Sequence, residues 1–85
     1  MVKIAFRSSA RQDLARIAHP LRRTILTACH DVFEDWAIGK VLEGRLSGYR
    51  SHRVGVYRIL YKVHQSSSIE IVAIGHRRDI YKRSL

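Results

Sequence analysis

The second half of the chain contains arginine, histidine and tyrosine side chains, residue types that could stabilise charge and transfer protons at a phosphodiester such as that of RNA. Cleavage of RNA without a metal ion needs one group to take the proton of the attacking 2′-hydroxyl, another to protonate the leaving 5′-oxygen, and positive charge to stabilise the phosphorane. Arginine stays protonated at any relevant pH, so Arg58 and Arg77 suit charge stabilisation. His76 and Tyr81 are the candidate proton carriers, with His52 third.

The net charge of the chain indicates a polyanionic partner. Sixteen Lys and Arg residues stand against seven Asp and Glu residues, a formal charge of +9 at pH 7. A field of this sign attracts nucleic acid over long distances. Most of the basic residues are arginines, which can hold phosphate with two parallel hydrogen bonds and stack on bases. A basic surface can also serve solubility alone, so nucleic acid is the first partner class to test.

The remaining composition excludes several other classes of protein. A lone cysteine, Cys29, cannot form an internal disulfide, and we interpret it as a small buried hydrophobic residue. No Cys/His cluster has zinc-ligand spacing, so we predict no metal and no cofactor. The first residues lack the features of a signal peptide, and no run approaches the roughly 18 apolar residues of a membrane span. We therefore expect a cytoplasmic protein without a membrane partner.

The first half of the chain predicts one strand and two helices. Residues 2–7 alternate apolar and basic side chains, the period of a half-buried strand. Ser9 and Gln12 have the spacing of a capping box, and apolar residues then recur at helical spacing as far as about His19. The apolar face of the strand comprises Val2, Ile4 and Phe6.

A second helix is predicted directly after the first. Pro20 suits its first turn, because the missing N–H would have no intrahelical acceptor there, and Gly39 is a natural end. The two helices form a hairpin whose apolar stripes must cover a flat partner. The stripe of the second helix comprises Leu21, Ile25, Ala28, Val32 and Trp36, all expected in the core.

The second half of the chain supplies that flat partner. Residues 40–48 contain two glycines and predict an irregular connector. Three strand-like runs follow, at residues 49–54, 56–64 and 69–74, and their short connections imply an antiparallel meander. The whole chain, residues 1–85, is thus predicted as a single α+β domain: an N-terminal strand, a helical hairpin and three strands, with the helices on one sheet face.

Alternation sorts the side chains of the central strand between the two sheet faces. The first face, expected to be buried under the helices, carries Tyr57, Ile59, Tyr61 and Val63. The opposite face carries Arg58, Leu60, Lys62 and His64, of which Arg58 and Lys62 are expected to be exposed. The preceding strand is too mixed to show which of its faces contacts the helices.

Three sequence blocks resemble the signature of RelE family toxins, within the RelE/ParE superfamily. They are Leu-Glu-Gly-Arg-Leu-Ser-Gly at 42–48, Arg-Val-Gly-Val-Tyr-Arg-Ile-Leu-Tyr at 53–61 and Gly-His-Arg-Arg-Asp-Ile-Tyr at 75–81. Their order and spacing also match, so the resemblance spans essentially the whole chain. It implies a RelE-like fold, similar to that of microbial ribonucleases, and a toxin of a type II toxin–antitoxin system in a bacterial or archaeal cytoplasm.

The resemblance also implies roles for individual residues. Arg58 corresponds to the arginine that holds the scissile phosphate, Arg77 to a second phosphate-contacting arginine, and Tyr81 to a tyrosine used in proton transfer or base stacking. Arg53 corresponds to a basic residue of the family's active surface. The position two before it, often basic in the family, is Ser51, which puts catalytic efficiency in question. Further RNA contacts are expected from Lys40, Arg45, Arg50, His52 and Arg78.

The implied activity is ribosome-dependent cleavage of mRNA by 2′-hydroxyl attack, which inhibits translation. The implied partners are mRNA, the ribosome and an acidic antitoxin, similar to RelB, that neutralises the toxin; operator DNA is contacted only through the antitoxin complex. Two other functions remain open: a toxin of the ParE kind that inhibits DNA gyrase without cutting RNA, and a non-catalytic nucleic-acid-binding module. Codon preference, and the choice of acid and base, are also open.

Overall fold

The computed structural model describes residues 3–65 and 68–83, and within them it has five strands, two α-helices and two short 3₁₀ helices. The predicted α+β class is confirmed: helices cover a sheet that contains the predicted meander. Val2, expected on the first strand, lies outside the described residues. The elements are β1 (Lys3–Phe6), α1 (Ser8–Ala15), α2 (His19–Glu34), β2 (Lys40–Val41), a 3₁₀ turn (Gly44–Leu46), β3 (Arg50–Val54), β4 (Tyr57–Val63), β5 (Ser68–His76) and a C-terminal 3₁₀ helix (Ile80–Lys82).

The sheet has the strand order β1-β5-β4-β3-β2. The antiparallel meander β3-β4-β5 is confirmed, and β1 adds to it in parallel beside β5. The prediction of a wholly irregular connector at residues 40–48 is wrong, because β2 pairs antiparallel with β3 and a 3₁₀ turn follows. A strand of two residues is too short to show alternation in the sequence. A β-bulge interrupts the β4–β5 ladder, where Leu60 pairs with Ala73 but Tyr61 pairs with Ile71.

The main core lies between the two helices and one face of the sheet. Ile59 and Tyr61 of β4 are fully buried there, as alternation predicted. Cys29 is buried as well, and burial raises the pKa of its thiol to about 12, so it is a protonated apolar side chain. The helices and the turn between them contribute to this core Ala10, Ile17, Ile25, Ala28, Cys29 and Val32.

None of the described helices is long and apolar enough to cross a membrane.

The first helix is shorter than predicted, and it lacks the predicted capping box. No side chain caps its N-terminus, and the Ser9 hydroxyl instead donates to the carbonyl of Val72 in β5 (2.7 Å). The helix ends at Ala15, and the Arg22 guanidinium of α2 donates to the carbonyls of Ala15 and Ile17. Those contacts close the hairpin and satisfy carbonyls that lie at the end of α1.

The second helix ends at Glu34, five residues before the predicted end at Gly39. Asp35 stops it, since its carboxylate accepts the N–H of Ala37 (3.2 Å) in a local turn. The prediction that Trp36 belongs to the core is therefore wrong, and its side chain is 37% exposed.

Gly39 is required for close packing rather than for ending a helix. Its N–H donates to the buried hydroxyl of Tyr61 (2.8 Å), and that hydroxyl donates to the carbonyl of Trp36 (2.9 Å). A Cβ at Gly39 would lie 2.7 Å from Cε1 of the Tyr61 ring. The loop after α2 is thus fixed to the centre of β4, and it delivers β2 to the edge of the sheet.

The sheet face opposite the helices, here called the open face, carries a second and smaller core. Leu60, Val72, Ala73 and Ile80 are buried in it, and Leu42, Tyr49 and Tyr81 pack around them. Arg58 and Lys62, predicted to be exposed, are half-buried because the C-terminal 3₁₀ helix and residues 42–49 cover part of this face. A partly covered open face is the feature that creates a concave site.

A charged cluster fastens β1 to β5. The Arg7 guanidinium donates two hydrogen bonds to the Glu70 carboxylate (3.1 and 3.2 Å), and Nε2 of His64 lies 3.0 Å from the same carboxylate. The hydrogen bond from Arg7 is the main reason that the pKa of Glu70 lies below its ordinary value.

The substitution Glu70→Gln tests this cluster through pH. A lowered pKa in the folded state stabilises the fold above about pH 4.5, the ordinary value, and this stabilisation is lost as pH falls through the lowered pKa. We expect the variant to lose at most about 1 kcal/mol at pH 7, because the pair is partly exposed. Urea unfolding from pH 7 to pH 3 should show its difference from the wild type disappearing in acid. Glu34→Gln, at an exposed glutamate, is the control; a difference that persists at pH 3 would contradict the prediction.

Candidate active site

A cavity of about 270 Å³ opens on the open face, between β2, β4 and the C-terminal 3₁₀ helix. Two of its lining residues are cationic and one is acidic, so the field inside is positive. We call it the cationic cavity. It is lined by Lys40, Leu42, Glu43, Leu46, Arg58 and Tyr81.

Arg58 is the central cation of this cavity. Its guanidinium carbon lies 5.7 Å from the centre of the Tyr81 ring, a cation–π arrangement. Its Nε is buried and has no hydrogen-bond partner among the described residues. A buried N–H without an acceptor costs about 1–3 kcal/mol, so Arg58 holds this position at a cost to the folded state.

The register of the sheet places a second arginine, Arg53, opposite Arg58. Arg53 of β3 pairs directly with Arg58 of β4, so both Cβ atoms point to the open face. The Arg53 Nε donates to the carbonyl of Gly55 (3.1 Å), and the side chain is exposed. Like charges opposite one another on a sheet destabilise it, and a polyanion would relieve this repulsion.

The C-terminal 3₁₀ helix holds Tyr81 in position. Ile80 is fully buried, and it packs on Gly75, where a Cβ would lie 3.1 Å from the Ile80 Cδ1. Arg83 donates to the carboxylate of Asp13 in α1 (2.9 Å), which also accepts the N–H of Ile74 (2.9 Å). The helix is therefore anchored on both sides of Tyr81.

Two further contacts reach Tyr81 from other elements. The Arg45 guanidinium donates to the backbone carbonyls of Tyr81 and Arg83. The Ser51 hydroxyl lies 2.9 Å from the Tyr81 hydroxyl, and Ser51 is only 2% exposed. The sequence predicted an RNA contact for Arg45 and gave Ser51 no role at the site. The contacts that these two residues make with Tyr81 leave no signal in the sequence pattern.

Three predicted site residues lie on the helix side of the sheet, away from the cationic cavity. Arg50 pairs with Tyr61, His52 with Ile59, and His76 with Tyr57, and these partners all face the main core. The His76 ring contacts the Tyr57 ring edge-on, with 6.4 Å between centroids. His52 lines a separate cavity of about 400 Å³ between α2 and β3.

The last two predicted residues, Arg77 and Arg78, lie in the turn after β5 and are exposed. The Arg77 N–H donates to the carbonyl of Val56 in the β3–β4 turn (2.8 Å), and the Arg78 N–H to Nδ1 of His76 (3.3 Å). Within the described residues, no hydrogen bond or cation–π contact joins the Arg77 side chain to Arg58 or Tyr81. Of the ten predicted residues, three line the cationic cavity: Lys40, Arg58 and Tyr81. Two more adjoin it, since Arg45 contacts Tyr81 and Arg53 pairs with Arg58.

Comparison with known proteins assigns the family. A family model described as the ParE toxin of the type II toxin–antitoxin system parDE matches residues 4–81. Toxin RelG of Mycobacterium tuberculosis (strain ATCC 25618 / H37Rv) is 36% identical over 87 residues, covering 94% of this chain and 95% of that protein. The chain belongs to the RelE/ParE superfamily of toxins. The sequence resemblance to this superfamily is thereby confirmed.

Solved structures of similar toxins share the fold. The toxin–antitoxin complex RelBE2 from M. tuberculosis contains a chain that matches this toxin with a TM-score of 0.82 and 26% identity, over 89% of this chain and 98% of that one. The chromosomal ParDE system of P. aeruginosa matches with a TM-score of 0.75 and 16% identity, over 89% and 96% of the two chains. The second likeness shows the fold alone.

The Arg45 contacts generate a prediction about the toxin's C-terminal 3₁₀ helix. Arg45→Ala removes both donors to the carbonyls of Tyr81 and Arg83, so we expect faster amide exchange in this helix, by about tenfold, with the exchange of β4 and β5 unchanged. Hydrogen–deuterium exchange by mass spectrometry measures both. Arg78→Ala, at an exposed arginine nearby, is the matched control. Equal exchange in the Arg45 variant and the wild type would contradict the anchoring role.

Proposed function

We propose that this toxin is an endoribonuclease that cleaves mRNA on the ribosome, without a metal, and so inhibits translation. The observation that carries the proposal is the contact between Arg58 and Tyr81 in the cationic cavity. A guanidinium beside a phenol provides both charge stabilisation and a proton-carrying group.

The reaction balances as a transesterification. The 2′-oxygen forms a bond to phosphorus while the bond from phosphorus to the 5′-oxygen breaks, which leaves a 2′,3′-cyclic phosphate and a 5′-hydroxyl end. Arg58 binds a non-bridging oxygen and stabilises the charge that develops in the phosphorane. One proton leaves the 2′-hydroxyl and one reaches the leaving 5′-oxygen; Tyr81, in contact with Arg58, carries the proton in one of these two transfers, and solvent serves the other.

Other basic residues contact the RNA on either side of the reacting phosphate. Arg53 pairs with Arg58 on the open face and suits a neighbouring phosphate, while Arg77 and Arg78 extend the positive surface beyond the end of β5. We leave His76 out of the reaction centre, because its ring contacts Tyr57 on the helix side.

Cleavage in a translating extract tests the proposal. Wild-type protein should produce new 5′ ends within codons, and Arg58→Ala should lower the cleavage rate by about a hundredfold or more, the usual cost of losing one transition-state donor. Tyr81→Phe, which keeps the ring but removes the hydroxyl, should also slow cleavage. Lys82→Ala removes an exposed positive charge beside Tyr81 and should cleave normally. Intact message with the wild-type protein would refute the proposal.

A toxin of the ParE kind, which inhibits DNA gyrase without cutting RNA, is the second candidate function. The description of the matching family model favours it. Induction in growing cells separates the two functions, because DNA breaks with intact mRNA would select the gyrase inhibitor.

We also propose that an acidic, amphipathic antitoxin segment folds over the toxin and neutralises it. The formal charge of +9 favours an acidic partner, and similar toxins have been solved as toxin–antitoxin complexes. The protein encoded beside this chain should co-purify with it at physiological salt and suppress its toxicity when co-expressed. Separate elution of the two purified proteins under those conditions would refute this partner.

A further inference from the structure

Ser51 of β3 is a buried polar residue that contacts Tyr81, the proposed proton carrier. Its side chain is on the open face, because its Cα pairs with that of Leu60. It is 2% exposed, and its hydroxyl lies 2.9 Å from the hydroxyl of Tyr81. The position is therefore occupied by a buried partner of the proposed proton carrier.

The basic residues on either side of Ser51 do not bring a positive charge into the cationic cavity. Arg50 and His52 alternate with Ser51 along β3, so both point to the helix side of the sheet. The Arg50 guanidinium donates to the carbonyl of Gly39 (2.9 Å) and stacks over the Trp36 ring at 5.2 Å. These contacts hold it on the far side from the cationic cavity.

Lys40 is the cation that the sheet brings beside Ser51. The two residues are direct Cα partners in the β2–β3 ladder, so their side chains project from the same face with Cβ atoms about 5 Å apart. Lys40 lines the cationic cavity together with Arg58 and Tyr81, and its side chain is exposed. An ammonium is thus available at the cavity from the neighbouring strand.

We propose that Lys40 and Ser51, partners on neighbouring strands, act on the same phosphodiester, with Lys40 binding the RNA phosphate in the cationic cavity and Ser51 positioning the Tyr81 hydroxyl. This inference rests on the proposed nuclease function. It adds Ser51 as a positioning residue and gives Lys40 a defined contact at the reacting phosphodiester.

Ser51 suits positioning because a hydroxyl can either donate or accept a hydrogen bond. When Ser51 accepts, the lone pairs of the Tyr81 oxygen face the cavity, and when Ser51 donates, the phenolic hydrogen does. One contact therefore supports both directions of proton exchange at Tyr81. Arg58, over the face of the ring, leaves the hydroxyl group free for this contact.

Lys40 suits phosphate binding because an ammonium is a compact point charge with three donors on a flexible stem. It needs no acceptor from the protein, and its place on the edge strand lets it follow a bound phosphate. Each phosphate contact of this kind also releases a counterion, which makes its contribution depend on salt concentration.

A double-mutant cycle tests Ser51. Ser51→Ala should lower the maximal single-turnover rate of cleavage on programmed ribosomes by about tenfold, with the toxin concentration for half-maximal rate within about twofold of the wild type. In the Tyr81→Phe background the same change should have no further effect, because Ser51 acts through the hydroxyl that is already absent. Ser51→Thr keeps a hydroxyl and should restore most of the rate. Thermal unfolding followed by circular dichroism shows whether each variant is folded.

A salt titration tests Lys40. Lys40→Ala should raise the toxin concentration for half-maximal rate by about tenfold and lower the slope of log affinity against log salt concentration by about one. Lys40→Arg keeps the charge and should restore both values. Lys82→Ala, which removes an exposed lysine outside the cavity, should change neither.

Three results would overturn the inference. The first is a tenfold loss from Ser51→Ala that persists in the Tyr81→Phe background, which would indicate a general structural effect. The second is an unchanged salt slope in Lys40→Ala. Either one, with normal cleavage by the wild type, refutes this inference and leaves the proposed function standing. The third is a wild-type protein that does not cleave mRNA at all, which refutes both.

Discussion

The geometry of the candidate site depends on the two hydrogen bonds that the carboxylate of Asp13 accepts. This carboxylate accepts the backbone N–H of Ile74 and the guanidinium of Arg83, so one buried side chain joins α1, the edge of β5 and the C-terminal 3₁₀ helix. Beyond the end of β1, the edge of β5 has no strand partner, and Asp13 satisfies an N–H that would otherwise be buried without an acceptor. The same contact fixes the segment that carries Tyr81.

The site itself is arranged at a cost to the folded state. Arg53 and Arg58 face each other across two strands, and Nε of Arg58 is buried with no acceptor among the described residues. Both features are unfavourable in the isolated protein. The Tyr81 ring reduces the cost through its contact with the Arg58 guanidinium.

The sequence predicted the fold well where elements are long and clearly patterned. The three strands of the meander were predicted at nearly the right positions, because runs of five to nine strand-forming residues bounded by turn residues leave a clear signal. The stripe of α2 was right from Leu21 to Val32, since several helical turns repeat the same spacing. The edge strand β2 has two residues and leaves none. Trp36 was misplaced because the helical spacing continues past Asp35, where a side-chain contact, invisible to periodicity, ends the helix.

The candidate site could be predicted only in part, since proximity along the chain does not determine the sheet face. His76 is next to Gly75, the residue that pairs with Arg58. The side chains of His76 and Arg58 nevertheless point to opposite faces of the sheet. Arg45 was predicted to contact RNA, and in the structure its guanidinium donates to the backbone carbonyls of Tyr81 and Arg83. Motif matching identified Arg58 and Tyr81, whose contact depends on how the chain's last turn folds back, and that lies beyond any local pattern.

The β-bulge in β5 explains how the C-terminal 3₁₀ helix can fold back onto the open face. If β4 and β5 paired in continuous register from Tyr61 and Ile71, Ile74 would stand opposite Arg58. A branched side chain would then project into the volume that Ile80 fills above Gly75, and the terminal turn would be pushed off the sheet. The single extra residue, Val72, shifts the register so that a position without a side chain faces Arg58. The concavity of the site is thus a product of strand irregularity, and lengthening or shortening β5 by one residue would change what lines it.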